Sequence, residues 1–156
     1  MIEVDIPGYK KISLKNLVLD HNGTLACDGI LLYGVKQKLI ALSDNLSIHV
    51  LTADTFGNVR QQLQDVPCTL SILPVEQQDL AKMDYVRQLG AESCVCIGNG
   101  KNDRKMLKTA ELGIVVIQEE GAASVTVQSA DVVCRDIHSA FGLLTHPLRL
   151  KATLRS

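Results

Sequence analysis

The sequence predicts an α/β fold, a doubly wound and mostly parallel sheet with no cap domain, and three observations carry that expectation. Short apolar runs such as Leu17–Leu19, Leu46–Leu51 and Ser93–Ile97 read as strands buried on both faces. Between them lie segments whose apolar residues recur three and four positions apart, which is helical spacing. Three of the strands end on polar, loop-forming residues (Asp20, Thr52 and the pair Gly98-Asn99), at the carboxyl ends where ligands gather in open parallel sheets. Strands alternating with helices in this way imply right-handed crossovers.

Taken in order, Ile2–Ile6 alternates and stops at Pro7-Gly8, and Lys11–Leu14 alternates again, so the chain opens with a hairpin. Leu17–Leu19 is the buried strand with Asp20 at its tip. Leu25–Tyr33, with Gly29 between short apolar groups, reads as a small loop or hairpin over the site. Val35–Leu42 is a helix with Val35, Leu39 and Leu42 on one face, and Leu46–Leu51 is the second core strand. Thr55–Leu63 reads as a helix capped by Asp54 or Thr55, with Val59 and Leu63 as an apolar pair.

Pro67 ends that region, and Cys68–Leu73 is the third core strand. Val75–Leu89 is a long helix stopped by Gly90, a common C-terminal signal. After the strand Ser93–Ile97 come a helix over Asp103–Ala110, a strand over Gly113–Ile117 and a short helix over Gly121–Ser129. Asp131–Cys134 is a last strand, Asp136 caps a helix through Leu144, and Pro147 opens a terminal helix to Leu154. No repeat, low-complexity tract or linker interrupts residues 1–156, so one domain is expected.

Composition narrows the function classes. Lys and Arg number 16 against 17 Asp and Glu, so no polyanion partner is implied, and 3 % aromatic residues argues against base stacking. Nucleic acid is not an expected partner. No apolar run approaches the roughly 18 residues of a membrane span, and the N-terminal segment lacks a signal-peptide layout, so a cytoplasmic protein is expected. Five cysteines (Cys27, Cys68, Cys94, Cys96, Cys134) show no metal-ligand spacing and read as small buried hydrophobes. Cys94 and Cys96 are placed on opposite sides of their strand. The four histidines do not converge: His21 is given an outward side chain, His49 a place in a strand, and His138 and His146 surface or helix-end positions.

The strand-end residues form a coherent chemical set when Lys82 joins them. Lys82 shares a helical stripe with Val86 and Leu89, which puts an amine among core residues. Asp20 then supplies a carboxylate nucleophile, Thr52 a hydroxyl donor, Lys82 a cation, and the Asn99–Asp103 loop the oxygen ligands of a divalent metal. Phosphoryl transfer through an aspartyl-phosphate needs such a set, because a dianionic phosphate approaches a carboxylate only when cations offset both. Magnesium takes hard oxygen ligands and keeps several waters. Asp20 and Asp103 are the carboxylate ligands expected for it, with Asn99 adding a neutral oxygen.

These stretches resemble the four motifs of the haloacid dehalogenase superfamily, in order: DHNGT (Asp20–Thr24), LTADT (Leu51–Thr55), Lys82 and GNGKND (Gly98–Asp103). The first and last are similar to the DKTGT and GDGxND of P-type ATPase phosphorylation domains, and the chain most resembles the small soluble P-type ATPase-like group. The resemblance spans nearly the whole chain. It implies that Asp20 attacks phosphorus while Asn22 positions it. It also implies that Gly23, Thr24, Thr52, Ala53, Lys82 and Asn102 surround the phosphoryl group, and that Asp20, Asn22, Asn99 and Asp103 hold Mg2+. The implied substrate is a phosphorylated small molecule or a phosphoprotein.

Two departures bear on rate. Superfamily phosphatases carry an Asp acid/base two residues after the nucleophile, and here that residue is Asn22, which neither gives nor takes a proton. Asn99 likewise replaces the first acid of the metal loop. The expectation is a slow magnesium-dependent phosphohydrolase or phosphotransferase, against an alternative of a phosphate-binding regulatory module with little or no turnover. A signalling receiver domain fits poorly, because its lysine follows a strand whereas Lys82 is mid-helix.

Caps in this superfamily are inserted between the first and third motifs. Asp20 to Thr52 spans 52 − 20 = 32 positions and Thr52 to Lys82 spans 82 − 52 = 30, each filled by one helix and short connectors, so no cap is expected. Ile30-Leu31-Leu32-Tyr33 places four apolar residues in a row beside the nucleophile loop, which points to a homo-oligomer contact over an open site.

Overall fold

The computed structural model describes residues 1–54 and 57–156. Six parallel strands form the central sheet in the order β10-β9-β8-β3-β6-β7. They are β3 (Asn16–Asp20), β6 (Ser47–Thr52), β7 (Cys68–Ile72), β8 (Cys94–Gly98), β9 (Leu112–Val116) and β10 (Val132–Cys134). The strand order steps outward from β3 in both directions, so β3 lies beside the reversal point. Its pairing is in register with both neighbours, Leu19 opposite Val50 on one side and Ile97 on the other. The carboxyl ends of β3, β6 and β8 therefore open onto one crevice.

Two small antiparallel hairpins flank the sheet: β1 (Ile2–Asp5) with β2 (Lys11–Leu14), and β4 (Ala26–Cys27) with β5 (Ile30–Leu31). The first is the opening hairpin read from the sequence. The second stands between β3 and α1 (Val35–Leu42), so that gap holds one hairpin and one helix.

The two faces of the sheet bury different clusters. One face packs Leu17, Leu19, Ile48, Val50, Val95, Ile97 and Ile114 against Val35 and Leu39 of α1 and Ile137 and Phe141 of α6 (Ile137–Thr145). The other packs Val18, Leu51, Cys94, Cys96 and Val115 against Val86 of α3 (Gln78–Leu89) and Met106 and Leu107 of α4 (Arg104–Thr109). Each fully buried aliphatic side chain contributes about 1.5–3 kcal/mol relative to exposure. The runs are apolar throughout because both faces are covered.

Cys94 and Cys96 correct the sequence expectation. Side chains two apart in a strand share a face, and both cysteines sit in the cluster under α3 and α4. All five cysteines are free thiols, three of them buried.

Helix starts moved more than helix ends. The helix expected from Thr55 is the single turn α2 (Val59–Gln62), and Thr55 itself lies outside the described residues. Asp54 adopts a left-handed φ of 48°, and its Oδ1 accepts the Val59 N–H at 3.2 Å, so the carboxylate serves a turn that starts later. The helix expected from Val75 begins at Gln78, because Gln77 is left-handed at φ 55°. The helix expected over Gly121–Ser129 is the turn α5 (Ser124–Val127). Asp136 caps α6 through a 2.7 Å bond from the Ser139 N–H, and α7 (Pro147–Leu154) starts on its proline. Among the described residues no helix is long and apolar enough to cross a membrane.

Candidate active site

Asp20 is the last residue of β3, and the fold delivers Lys82 to it from α3. The Lys82 Nζ lies 2.7 Å from Asp20 Oδ1 and 2.7 Å from Asp103 Oδ1. Lys82 is 1 % exposed and Asp103 is fully buried, so the three charges form a dry triad. Such a group is stable only when its remaining lone pairs are engaged. Asp103 Oδ2 accepts the N–H groups of Asn99 at 3.0 Å and Gly100 at 2.9 Å. Asp20 Oδ2 accepts the Thr24 hydroxyl at 3.1 Å.

Formal charges in the triad sum to −1. Burial, followed by the Asp103 carboxylate, pushes the Asp20 carboxyl up to about 7 against the opposing pull of Lys82 and Thr24. Burial alone would depress the Lys82 amine, but the two carboxylates outweigh it and hold the amine above its ordinary range. The excess negative charge marks the place a cation would relieve.

The Asn99 side chain is fixed beside the turn after Asp20. Its Nδ2 donates to the Gly121 carbonyl at 2.9 Å, which turns Oδ1 inward, where Thr24 Oγ1 lies 3.3 Å away. Asp20, the Asn22 main-chain oxygen and Asn99 Oδ1 are hard oxygen donors of the kind magnesium takes. Gly23 makes the approach possible: at φ 79° it is left-handed, and a Cβ there would sit 2.3 Å from Asn99 Nδ2. A Cβ on Gly98 would lie 2.5 Å from Asp103 Cγ, so the Asp103 carboxylate packs against bare backbone.

The other residues picked from the sequence are placed as follows. Thr52 is buried at the end of β6, and its Oγ1 accepts the Asp54 N–H at 3.0 Å, which leaves its own proton to donate elsewhere. Ala53, half-buried, follows it. Thr24 is fully buried with its hydroxyl on Asp20. The Gly23 and Thr24 N–H groups are spent on the carbonyls of Ala26 and His21. Asn102 donates to Gln78 Oε1 at 2.7 Å. Asn22 Oδ1 lies 3.2 Å from His21 Nδ1. His21, given an outward side chain from the sequence, is fully buried instead, in a turn whose Thr24, Leu25 and Ala26 N–H groups all donate to its carbonyl.

Sequence reasoning missed Gln118. Its Nε2 donates to the carbonyls of Gly23 at 3.1 Å and Thr24 at 2.9 Å, and its Oε1 accepts the Ile137 N–H at 2.8 Å. One amide thus ties the turn after Asp20 to the loop after β9 and to the start of α6. Gln62 does similar work on the β4–β5 hairpin, accepting the Leu31 N–H at 2.7 Å and donating to the Gly29 carbonyl at 2.8 Å. A lone glutamine in a loop carries no periodic or motif signal that announces such a role.

No protein-family model matches the chain. The uncharacterised protein MJ0073 of Methanocaldococcus jannaschii is 45 % identical over 82 residues, which cover 50 % of this chain and 88 % of that one. MJ0072 of the same organism is 46 % identical over 39 residues, 25 % of this chain and 89 % of that one.

Solved structures extend the likeness to the whole fold. A Moraxella catarrhalis 3-deoxy-D-manno-octulosonate 8-phosphate phosphatase, in complex with magnesium, phosphate and KDO, superposes with a TM-score of 0.68 at 18 % identity, covering 90 % of this chain and 89 % of that one. The cobalt-bound deoxy-D-mannose-octulosonate 8-phosphate phosphatase of Haemophilus influenzae gives 0.68 at 18 % identity over 91 % of each chain. BT1666 of Bacteroides thetaiotaomicron, a phosphatase of the HAD superfamily, gives 0.60 at 13 % identity over 90 % of this chain and 96 % of that one. The α/β fold expected from the sequence is the fold of these phosphatases.

Proposed function

We propose a function for a chain that belongs to the same family as MJ0073 and has the HAD phosphatase fold: it is a slow, magnesium-dependent phosphohydrolase or phosphotransferase working through an aspartyl-phosphate on Asp20. The observation that carries this reading is the buried Asp20–Lys82–Asp103 triad at the carboxyl end of the central strand. A purely structural lysine would sit at a surface with its amine in water. Here an amine is held between two carboxylates where phosphate would arrive.

In this reading Asp20 attacks phosphorus, forming the acyl phosphate as the bond to the leaving oxygen breaks. Lys82 offsets the charge gathering on the phosphoryl oxygens, and the free Thr52 proton donates to one of them. Ala53, Asn102 and the Gly23-Thr24 turn border the phosphoryl group, the turn through its shape, since its N–H groups are engaged. Asp20, the Asn22 carbonyl and Asn99 would hold Mg2+. Asp103 supports them by fixing Lys82 and the Asn99 and Gly100 amides. Magnesium supplies charge neutralisation between the carboxylate and the phosphoryl group. Asn22 has no proton for the leaving oxygen, so that proton comes from water. A second water then hydrolyses the acyl phosphate to free phosphate and Asp20. A persistent intermediate is what the resemblance to P-type ATPases implies, since they too lack the acid/base Asp.

Incubation with acetyl phosphate and magnesium tests the reading. Wild type is expected to trap an acid-stable, hydroxylamine-labile phosphoryl group that Asp20→Ala lacks. Equal labelling and equal phosphate release by the two proteins would refute it. The second reading, a phosphate-binding regulatory module, is favoured by the neutral residues at both Asn22 and Asn99.

The site is capless, with only the β4–β5 hairpin and α1 between β3 and β6. Ile30 on that hairpin is 71 % exposed, while Leu31 and Leu32 pack against the core. A homo-oligomer contact through the Ile30–Tyr33 segment accounts for it. Light scattering that gives one chain's mass at every concentration removes this proposal.

A further inference from the structure

His21 stands in the chain between Asp20 and Asn22, and its side chain is fully buried. A polar ring in that place gives up its hydration, and one of its nitrogens gets nothing in return. Nε2 is enclosed with no hydrogen-bond partner among the described residues. The turn itself does not need the ring. Its Thr24, Leu25 and Ala26 N–H groups donate to the His21 main-chain carbonyl, which a residue of any type could supply. A methionine would fill the same space and leave no nitrogen unpaired.

The other ring nitrogen accounts for the histidine. Nδ1 lies 3.2 Å from Asn22 Oδ1. An amide oxygen only accepts, so the proton of that bond sits on Nδ1, whether the ring is neutral or charged. A backbone bridge to Ala26 holds the Asn22 main chain, and the buried ring holds its amide. With Oδ1 engaged by the ring, the free end of the amide is Nδ2. That nitrogen has no partner among the described residues and is not enclosed, on a side chain that is half-buried. An unheld amide could present either of its ends, oxygen or nitrogen. Here one end is chosen.

We propose that His21 is a positioning residue: it locks the Asn22 amide with Nδ2 free, which makes Asn22 a hydrogen-bond donor to an oxygen of the substrate's phosphate group. This rests on the phosphoryl-transfer reading of Asp20. A donor that keeps its proton still stabilises charge gathering on that oxygen as Asp20 attacks. It cannot take a proton from water, so hydrolysis of the acyl phosphate gains nothing from it. The lock therefore favours forming the intermediate over breaking it down. An amide turned the other way would set a lone pair against the phosphate oxygens.

His21→Met removes the lock, His21→Asn keeps an N–H donor near the place of Nδ1, and Asn22→Ala removes the amide. Labelling of Asp20 by saturating acetyl phosphate with magnesium is measured below the melting transition of each protein. The rate is expected to fall about tenfold in His21→Met, the worth of one well-placed hydrogen bond, and His21→Asn should recover most of that loss. Because His21 acts through Asn22, adding His21→Met to Asn22→Ala should slow labelling no further. A further tenfold fall in the double variant would mean a merely structural role and overturns the proposal. A proton–nitrogen correlation spectrum of the wild-type histidine rings gives a second readout. The His21 signals, identified by their absence from His21→Asn, should place the proton on Nδ1, and a bare Nδ1 overturns the lock. If no protein is labelled, the phosphoryl-transfer reading fails separately, and titration of inorganic phosphate with magnesium decides the lock. Equal weakening in His21→Met, Asn22→Ala and the double variant upholds it. Wild-type affinity in His21→Met, or no binding to any of the proteins, overturns it.

Discussion

Lys82 Nζ and Asp103 Oδ1 meet at 2.7 Å with neither residue measurably in contact with solvent, and Asp20 completes the contact from the other side. Removing one partner of such a group leaves an uncompensated buried charge, which costs about 3–5 kcal/mol. Lys82→Met is therefore expected to destabilise the protein by that amount in urea unfolding. Adding Asp103→Asn should restore part of the loss, because it removes one of the two stranded carboxylates. A double variant no more stable than Lys82→Met would show that the triad is not the source of the effect.

Restoring the missing proton donor is the sharpest test of rate. Asn22→Asp is expected to raise phosphate release from an aryl phosphate by about 10²–10⁴-fold, the usual worth of general acid–base catalysis. Covalent labelling at Asp20 should become shorter-lived in the same variant. A rate unchanged by the substitution would favour the binding-module reading.

Magnesium should stabilise the fold through the excess negative charge at Asp20. At a hundred times the dissociation constant, linkage contributes about 2.7 kcal/mol. Thermal melting of wild type should rise with magnesium, and that of Asp20→Asn should rise much less. Equal shifts would place the ion somewhere else.

Gly23→Ala combines a strained φ of 79° with a Cβ 2.3 Å from the Asn99 amide. The substitution is expected to destabilise by about 1 kcal/mol or more, and to weaken magnesium-dependent stabilisation by displacing Asn99. Gly57→Ala, at a similar φ of 71° but with nothing within 4 Å among the described residues, separates backbone strain from the clash. Identical melting and magnesium responses in the two variants would count against the Asn99 contact.

Asp136 provides a pH dependence with a clear sign. Burial raises this carboxyl, but the Ser139 N–H and side chain, Arg135 and His138 outweigh it and hold it below the usual range. Its folded value thus lies below its unfolded one. The stabilisation is present above about pH 4, the ordinary carboxylate range, and is lost as pH falls through the lowered value. An N-cap of this kind contributes about 1 kcal/mol. The stability gap between wild type and Asp136→Ala should be full at neutral pH and shrink on acidification. A gap constant from pH 7 to 3 would contradict the assignment.

What was legible in the sequence was whatever repeats or punctuates. The helices Val35–Leu42 and Pro147–Leu154 match their apolar stripe and their proline start. The strand ending on Asp20 announced itself because both its faces are buried, and Lys82 because its position in the helix puts an amine on the core side. Helix starts were harder to read. Asp54 and Gln77 each take a left-handed φ that no apolar pattern encodes, and α2 and α3 begin after them. The burial of His21 and the reach of Gln118 depend on loops that meet only once the sheet has formed. The face of Cys94 and Cys96 was legible in the strand period itself.

The Gln118 amide has a consequence for how the molecule opens. Local unfolding proceeds in cooperative blocks, and loops usually open more cheaply than the strands that carry them. Here the outer part of the sheet, with the start of α6, is stapled to the nucleophile turn by three hydrogen bonds from one side chain. Fraying at the β9–β10 border therefore drags on Gly23 and Thr24. In native-state hydrogen exchange the amides of that turn should share the opening free energy of the Ile137 N–H, and Gln118→Ala should uncouple the two.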